Sequence, residues 1–169
     1  MAAPDYKQLF ESSPVLSILL DRDFRIAAAS DAFLTATMTT REAAVGKAAF
    51  EVFPADPSRP QASGERVVRE LLERVLAERR PQRLPLQRYD VPRPQAQGGG
   101  FERRYWTAQF MPLPGPGGEV AYIHCVVEDA TDRARDERLG KLWTWRTGAG
   151  WCSSAAVSTM ARSPSWCST

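Results

Sequence analysis

The rhythm of apolar and polar positions changes along the chain, and each change predicts an element. Asp5 is placed to cap a short helix whose Tyr6, Leu9 and Phe10 share one face, and Pro14 closes it. The run Val15-Leu16-Ser17-Ile18-Leu19-Leu20 reads as a buried strand. Asp21-Arg22-Asp23 is a turn, and Phe24 to Ala29 returns as a second strand, so the two form a hairpin. Short helices follow. Ser30 or Asp31 caps a turn carrying Phe33, Leu34 and Met38; Thr40 caps Arg41 to Val45, and Gly46 fits the stop. Phe50, Val52 and Phe53 precede Pro54, and the Pro- and Ser-rich stretch from Pro54 to Gly64 is a loop. The clearest helix is Glu65 to Arg80, where Val67, Val68, Leu71, Leu72, Val75 and Leu76 make one apolar stripe and Pro81 ends it. Three strands follow: Leu84 to Val91, Phe101 to Leu113 and Glu119 to Glu128. Pro114 to Gly118 joins the last two tightly, which makes them antiparallel neighbours. Asp129 to Asp132 breaks the last strand, and a charged helix runs from near Asp132 to about Leu142. This order predicts an α+β domain with helices on one face of an antiparallel sheet.

Composition narrows the function. A chain of 169 residues holds one domain with a real core and a spare tail. The net charge of +2 is too small to argue for nucleic acid, and the doublets Arg79-Arg80 and Arg103-Arg104 read as solvated faces. No apolar run approaches a membrane span, and the first residues lack the pattern of a secretion signal. Cys125, Cys152 and Cys167 are odd in number and lack C-x-x-C spacing, which argues against disulfides and a zinc site. The expectation is a reduced cytoplasmic protein.

Leu20-Asp21-Arg22-Asp23-Phe24-Arg25-Ile26, Gly46-Lys47-Ala48-Ala49-Phe50-Glu51-Val52-Phe53-Pro54 and Val127-Glu128-Asp129-Ala130-Thr131 occur in that order over residues 5 to 142. Together they resemble a PAS domain, most like the sensory modules of bacterial two-component sensor histidine kinases, a likeness that extends to Tyr105-Trp106 and Tyr122-Ile123-His124. Ser30-Asp31 stands where the family usually shows Asn. The resemblance implies a PAS fold: a five-stranded antiparallel sheet, its first strand central and beside the last, with the helices enclosing a pocket on one face. It implies a flanking helix over 1–14, the domain over 15–131 and the start of a signalling helix over 132–142. It implies signal transfer through Asp129 and Thr131 into that helix, a homodimer through flanking helices and the free sheet face, and output to a kinase domain or response-regulator phosphorelay. The plainer role for Asp129 and Thr131 is to cap and turn the chain, since short polar side chains bond nearby backbone.

Candidate chemistry is sparse. His124 is the one histidine; alternation places it with Tyr122 and Val126 on one strand face and Ile123, Cys125 and Val127 on the other. Haem is not expected, because haem-binding PAS domains usually take their histidine from the long helix and Glu65 to Arg80 has none. A covalent flavin adduct is not expected either, because Gly46 to Phe50 holds no cysteine. Cys125 reads as a small buried hydrophobe. Val45-Gly46-Lys47-Ala48 and Gly98-Gly99-Gly100 lack the context of phosphate loops. Phe33, Phe50, Phe53, Leu72 and Trp106 are candidates to line a ligand pocket, with a filled core as the alternative. No catalytic or metal-binding residue stands out. The leading expectation is therefore a regulatory module, not an enzyme in its own right: the sensor end of a histidine kinase without its catalytic part. A free-standing small-molecule-binding protein is the alternative. A small isomerase-like enzyme, with His124 or Asp90 as acid–base residue, comes third.

From Trp143 the character changes. Trp143, Trp145, Trp151 and Trp166 crowd together with Cys152, Cys167, Ser and Ala, and no acidic residue follows Glu137. Residues 143–169 read as an atypical tail, either frameshifted and disordered or a genuine divergent segment that packs somewhere.

Overall fold

The computed structural model describes residues 3–59 and 64–137. The described residues up to Arg135 form one compact unit. The sequence readings for the far end of the signalling helix and for the tail, 138–169, lie outside the described residues.

Local chemistry sets the first half of the fold. Helix α1 is Tyr6–Glu11, and Asp5 Oδ1 accepts from Gln8 N at 3.0 Å as its cap. Strands β1 (Ser17–Leu20) and β2 (Ile26–Ala29) form the expected hairpin. Its turn is held by Asp21 Oδ1, which accepts from Asp23 N at 2.9 Å and from Arg25 N at 2.8 Å. Of the two candidate caps for α2 (Asp31–Ala36), Ser30 is the one used. Its Oγ accepts from Phe33 N at 3.2 Å and from Ser17 N at 3.1 Å, and donates to Val15 O at 2.8 Å. A fully buried hydroxyl thus joins the helix start to β1. Asp31 is engaged elsewhere, by Arg41 at 2.6 Å. Thr40 caps α3 (Arg41–Ala44), and Gly46, at φ +84°, turns the chain toward α4 (Ala49–Val52).

Helix α5 (Gly64–Glu78) buries Leu72 and Val75 from its apolar stripe. It ends two residues earlier than the sequence predicts, because Arg79 turns left-handed at φ +54°. Strand β3 (Gln82–Arg88) starts earlier than Leu84 and is bulged between Leu84 and Gln87. The predicted strand Phe101 to Leu113 divides in two. Its first residues, β5 (Phe101–Glu102), pair with β4 (Val91–Pro92) in a separate two-stranded sheet. Residues 103 and 104 break the run, since Arg104 O accepts from Tyr89 N at 3.1 Å. The remainder is β6 (Tyr105–Pro114), which pairs along its length with β7 (Val120–Asp129).

The main sheet has five antiparallel strands in the order β2-β1-β7-β6-β3. As expected, β1 is interior and lies beside β7, but the middle place belongs to β7. The inward face carries Ile18, Leu20, Ala108, Phe110, Ile123 and Cys125, packed against Phe33, Leu72 and Val75. His124 points the other way, where the Phe10 ring of α1 meets it with centroids 5.8 Å apart. The sheet thus separates two environments, and α1 lies on the outer side. Helical backbone resumes at residue 131.

Candidate functional site

Between the inward sheet face and helices α2, α4 and α5 lies a cavity of about 110 Å³. The structure brings Phe33, Phe50, Phe53, Leu72 and Trp106 together around it. Phe33 and Phe53 meet edge to face at 5.7 Å, and Arg69 lies over the outer side of Phe50, 4.0 Å from the ring centroid. Cys125 and Val127 also reach the wall, in keeping with the strand alternation. Tyr89 and Thr37 do so as well, and sequence patterning missed them. Tyr89 comes from the irregular step after β3, where no periodic signal exists.

Each side-chain donor in this wall is already committed. Thr37 Oγ1 donates to Phe33 O at 2.8 Å, Tyr89 OH to Phe53 O at 2.5 Å and Trp106 Nε1 to Tyr89 O at 2.8 Å. The Cys125 thiol faces Ile123 O at 3.8 Å. Burial pushes the Cys125 thiol far above its ordinary value, which leaves it protonated and inert. Burial likewise raises the Tyr89 phenol, helped by the Glu65 carboxylate and opposed by Arg69.

Tyr89 also connects the cavity to the end of β7. Its amide donates to Arg104 O, and Arg104 Nη1 reaches Asp129 Oδ2 at 2.5 Å while Nη2 reaches Glu102 Oε1 at 2.7 Å. Asp129 Oδ1 accepts from Thr131 N at 2.9 Å, and Thr131 Oγ1 accepts from Tyr105 N at 3.0 Å. The backbone closes the same corner through Ala130 N to Tyr105 O at 2.8 Å. Burial by itself would raise the Asp129 carboxyl, but the bonds from Thr131 and Arg104 outweigh it and hold the group below its ordinary value. Asp129 and Thr131 thus fix the path by which the chain leaves the sheet.

The other sequence candidates lie elsewhere. Asp90 is gripped by Arg88, whose Nε lies 2.8 Å from Oδ1 and whose Nη2 bonds Oδ2. His124 is on the outer face, its Nε2 buried and without a hydrogen-bond partner among the described residues. Neither lines the cavity. Among the described residues, no cluster of His, Cys, Asp and Glu could hold a metal ion, and no helix is long and apolar enough to cross a membrane.

Comparison with known proteins agrees with this architecture. The model of the family described as PAS fold matches residues 10–135, so the chain belongs to the PAS fold family and contains a PAS sensory domain. The PAS domain from Bordetella pertussis BvgS is similar at 25% identity and a TM-score of 0.50, over 85% of this chain and 95% of that one. A Rhodobacter sphaeroides LOV protein is similar at 16% identity and a TM-score of 0.55, over 86% of this chain and 81% of that one. An RNA-binding light-oxygen-voltage receptor reaches a TM-score of 0.58 at 16% identity over 85% of this chain, which spans only 37% of that receptor. These last two likenesses concern the fold alone. No curated protein matches the chain.

Proposed function

We propose that the domain is the sensor end of a bacterial two-component histidine kinase, in which a change at the apolar cavity alters how the chain exits β7. One observation carries this reading: a single run of hydrogen bonds, through Tyr89, Arg104 and Asp129, links the cavity wall to the exit at Thr131. The motif resemblance to kinase-associated PAS modules supports the choice of output. A regulatory and non-catalytic role is supported by the chemistry of the wall, which has aromatic and aliphatic groups where an enzyme would need an acid or a base. A cytoplasmic homodimer completes the proposal. Its support is the apolar outer surface, where Tyr6, Leu9, Leu113 and Tyr122 are exposed.

The test is a chimera in which residues 1–142 replace the PAS domain of a PAS-containing sensor kinase with a measurable phosphorelay. Filling the cavity with Ala108→Leu should change kinase output, and adding Asp129→Ala should abolish that difference while the domain stays folded. Output that tracks the cavity equally with or without Asp129 would refute the route. A free-standing binding protein would show ligand uptake in solution and no dependence of any output on Asp129.

A further inference from the structure

The cavity's walls restrict what can enter it. Among the described residues no charged side chain lines it, and the Thr37, Tyr89 and Trp106 donors are all consumed by backbone carbonyls. A ligand acceptor placed here would lose its water and gain nothing in return. Water fares little better, because a buried water needs about 2–4 polar partners. Size acts in the same direction. A dry cavity of about 150 Å³ lined by Leu, Ile and Phe takes benzene or xenon, and the volume here is about 110 Å³.

We propose that this cavity is a dry site for a small, uncharged guest without hydrogen-bond acceptors: a hydrocarbon of about benzene's size or an apolar gas. The proposal rests on reading the cavity as the sensing site and names the class of molecule it senses. Binding is driven by apolar contact, with Phe33, Phe53 and Leu72 as the main surfaces. The Cys125 thiol in the wall stays protonated and contributes shape, not chemistry.

The discriminating pair of probes is benzene and pyridine, which share a shape and differ by one acceptor nitrogen. The full chain would be titrated with each at mildly alkaline pH, where pyridine is neutral, and followed through the methyl resonances of Ile18, Leu72 and Val127. Benzene should give saturable shifts confined to those methyls, and pyridine should bind much more weakly. Ala108→Leu should remove the benzene response. Leu72→Ala, which enlarges the same space, should admit naphthalene, so the proposal does not depend on the filled variant folding. Absence of saturable benzene binding, or equal binding of benzene and pyridine, overturns the assignment. These outcomes are independent of kinase output. A chimera that signals although benzene does not bind rejects the guest class and keeps the sensory reading; benzene binding without any change in output keeps the guest class and rejects that reading.

Discussion

The corner around Asp129 allows a worked prediction, because one carboxylate does two separable jobs there. Oδ2 pairs with Arg104, and Oδ1 accepts from the Thr131 amide. Asp129→Asn keeps an oxygen for Thr131 and removes the charge, whereas Asp129→Ala removes both. The two ion-pair side chains are about a quarter exposed, at 24% and 25%, so solvent screens part of the attraction. A hydrogen bond to a charged group contributes about 1.5–3 kcal/mol when well buried, and an exposed ion pair about 0–1. The pair should therefore contribute about 1–2 kcal/mol. Losing the Thr131 bond as well adds about 1 kcal/mol, the usual cost of removing a side-chain cap. Asparagine should then destabilise by about 1–2 kcal/mol and alanine by about 2–3, both read from urea unfolding followed by circular dichroism with an unchanged m-value. Crossing Asp129→Asn with Arg104→Met should recover a coupling energy of about 1 kcal/mol or more. The pH dependence supplies a second signature. The folded carboxyl lies below its unfolded value of 3.8, so its stabilisation is complete above that pH and disappears as pH falls through the folded value. The asparagine variant should lose that part of the acid transition. An asparagine variant as stable as the wild type, together with a coupling below about 0.3 kcal/mol, would show that Arg104 does not hold the exit.

Other outcomes follow from single positions. Burial lowers the His124 pKa from 6.5, and among the described residues no charged neighbour compensates: its cross-strand partners are Leu19 and Met111, and Phe10 of α1 covers it. The unfolded chain then binds the proton more readily, so stability should fall as pH drops through 6.5 toward the lower folded value; His124→Phe should flatten that slope, and parallel curves for the two proteins would contradict it. Gly64→Ala should cost about 1–3 kcal/mol, since a Cβ there would stand 2.6 Å from Arg88 O; an unchanged melting temperature would show that the α5 start moves freely. Leu72→Ala, at a site 1% exposed, should cost about 2–5 kcal/mol in denaturant unfolding, and a smaller loss would mean that the cavity collapses around it. Tyr89→Phe should cost about 1–2 kcal/mol by stranding Phe53 O, which thermal melts can check.

The parts of the fold that could be read from sequence are those governed by nearby residues. Asp5, Thr40 and the Asp21 turn are local hydrogen bonds, and the α5 stripe is a local periodicity. Alternation along β7 likewise placed Cys125 and His124 on opposite faces without any knowledge of their partners. What escaped was decided by distant chain. Arg104 interrupts the predicted strand because its carbonyl serves Tyr89, and β7 takes the middle of the sheet because β1 and β6 pair with it from either side. The choice of Ser30 over Asp31 as cap was likewise settled at long range, by Ser17 of β1, by Val15 just before that strand and by Arg41. For the cavity, the five aromatic and aliphatic candidates carried a signal in their size and periodicity. Tyr89 carried none, because its value lies in a phenol reaching Phe53 from an irregular segment.

The position of β7 also determines when this protein can fold. The hairpin of β1 and β2 and the pair formed by β3 and β6 share no strand boundary; each meets the other only through β7. During synthesis both halves leave the ribosome with an unpaired edge, and they must wait for the last strand of the sheet. Pairing Ser17 with Val126 closes a loop of most of the domain, which makes the final docking a slow, non-local step. Until then the exposed edges of β1 and β6 are open to pairing with other nascent chains. A chain cut off before Val120 would hold helices α1 to α5 and the pairs β1–β2 and β3–β6 with no strand to join them, and its natural fate is chaperone capture or aggregation.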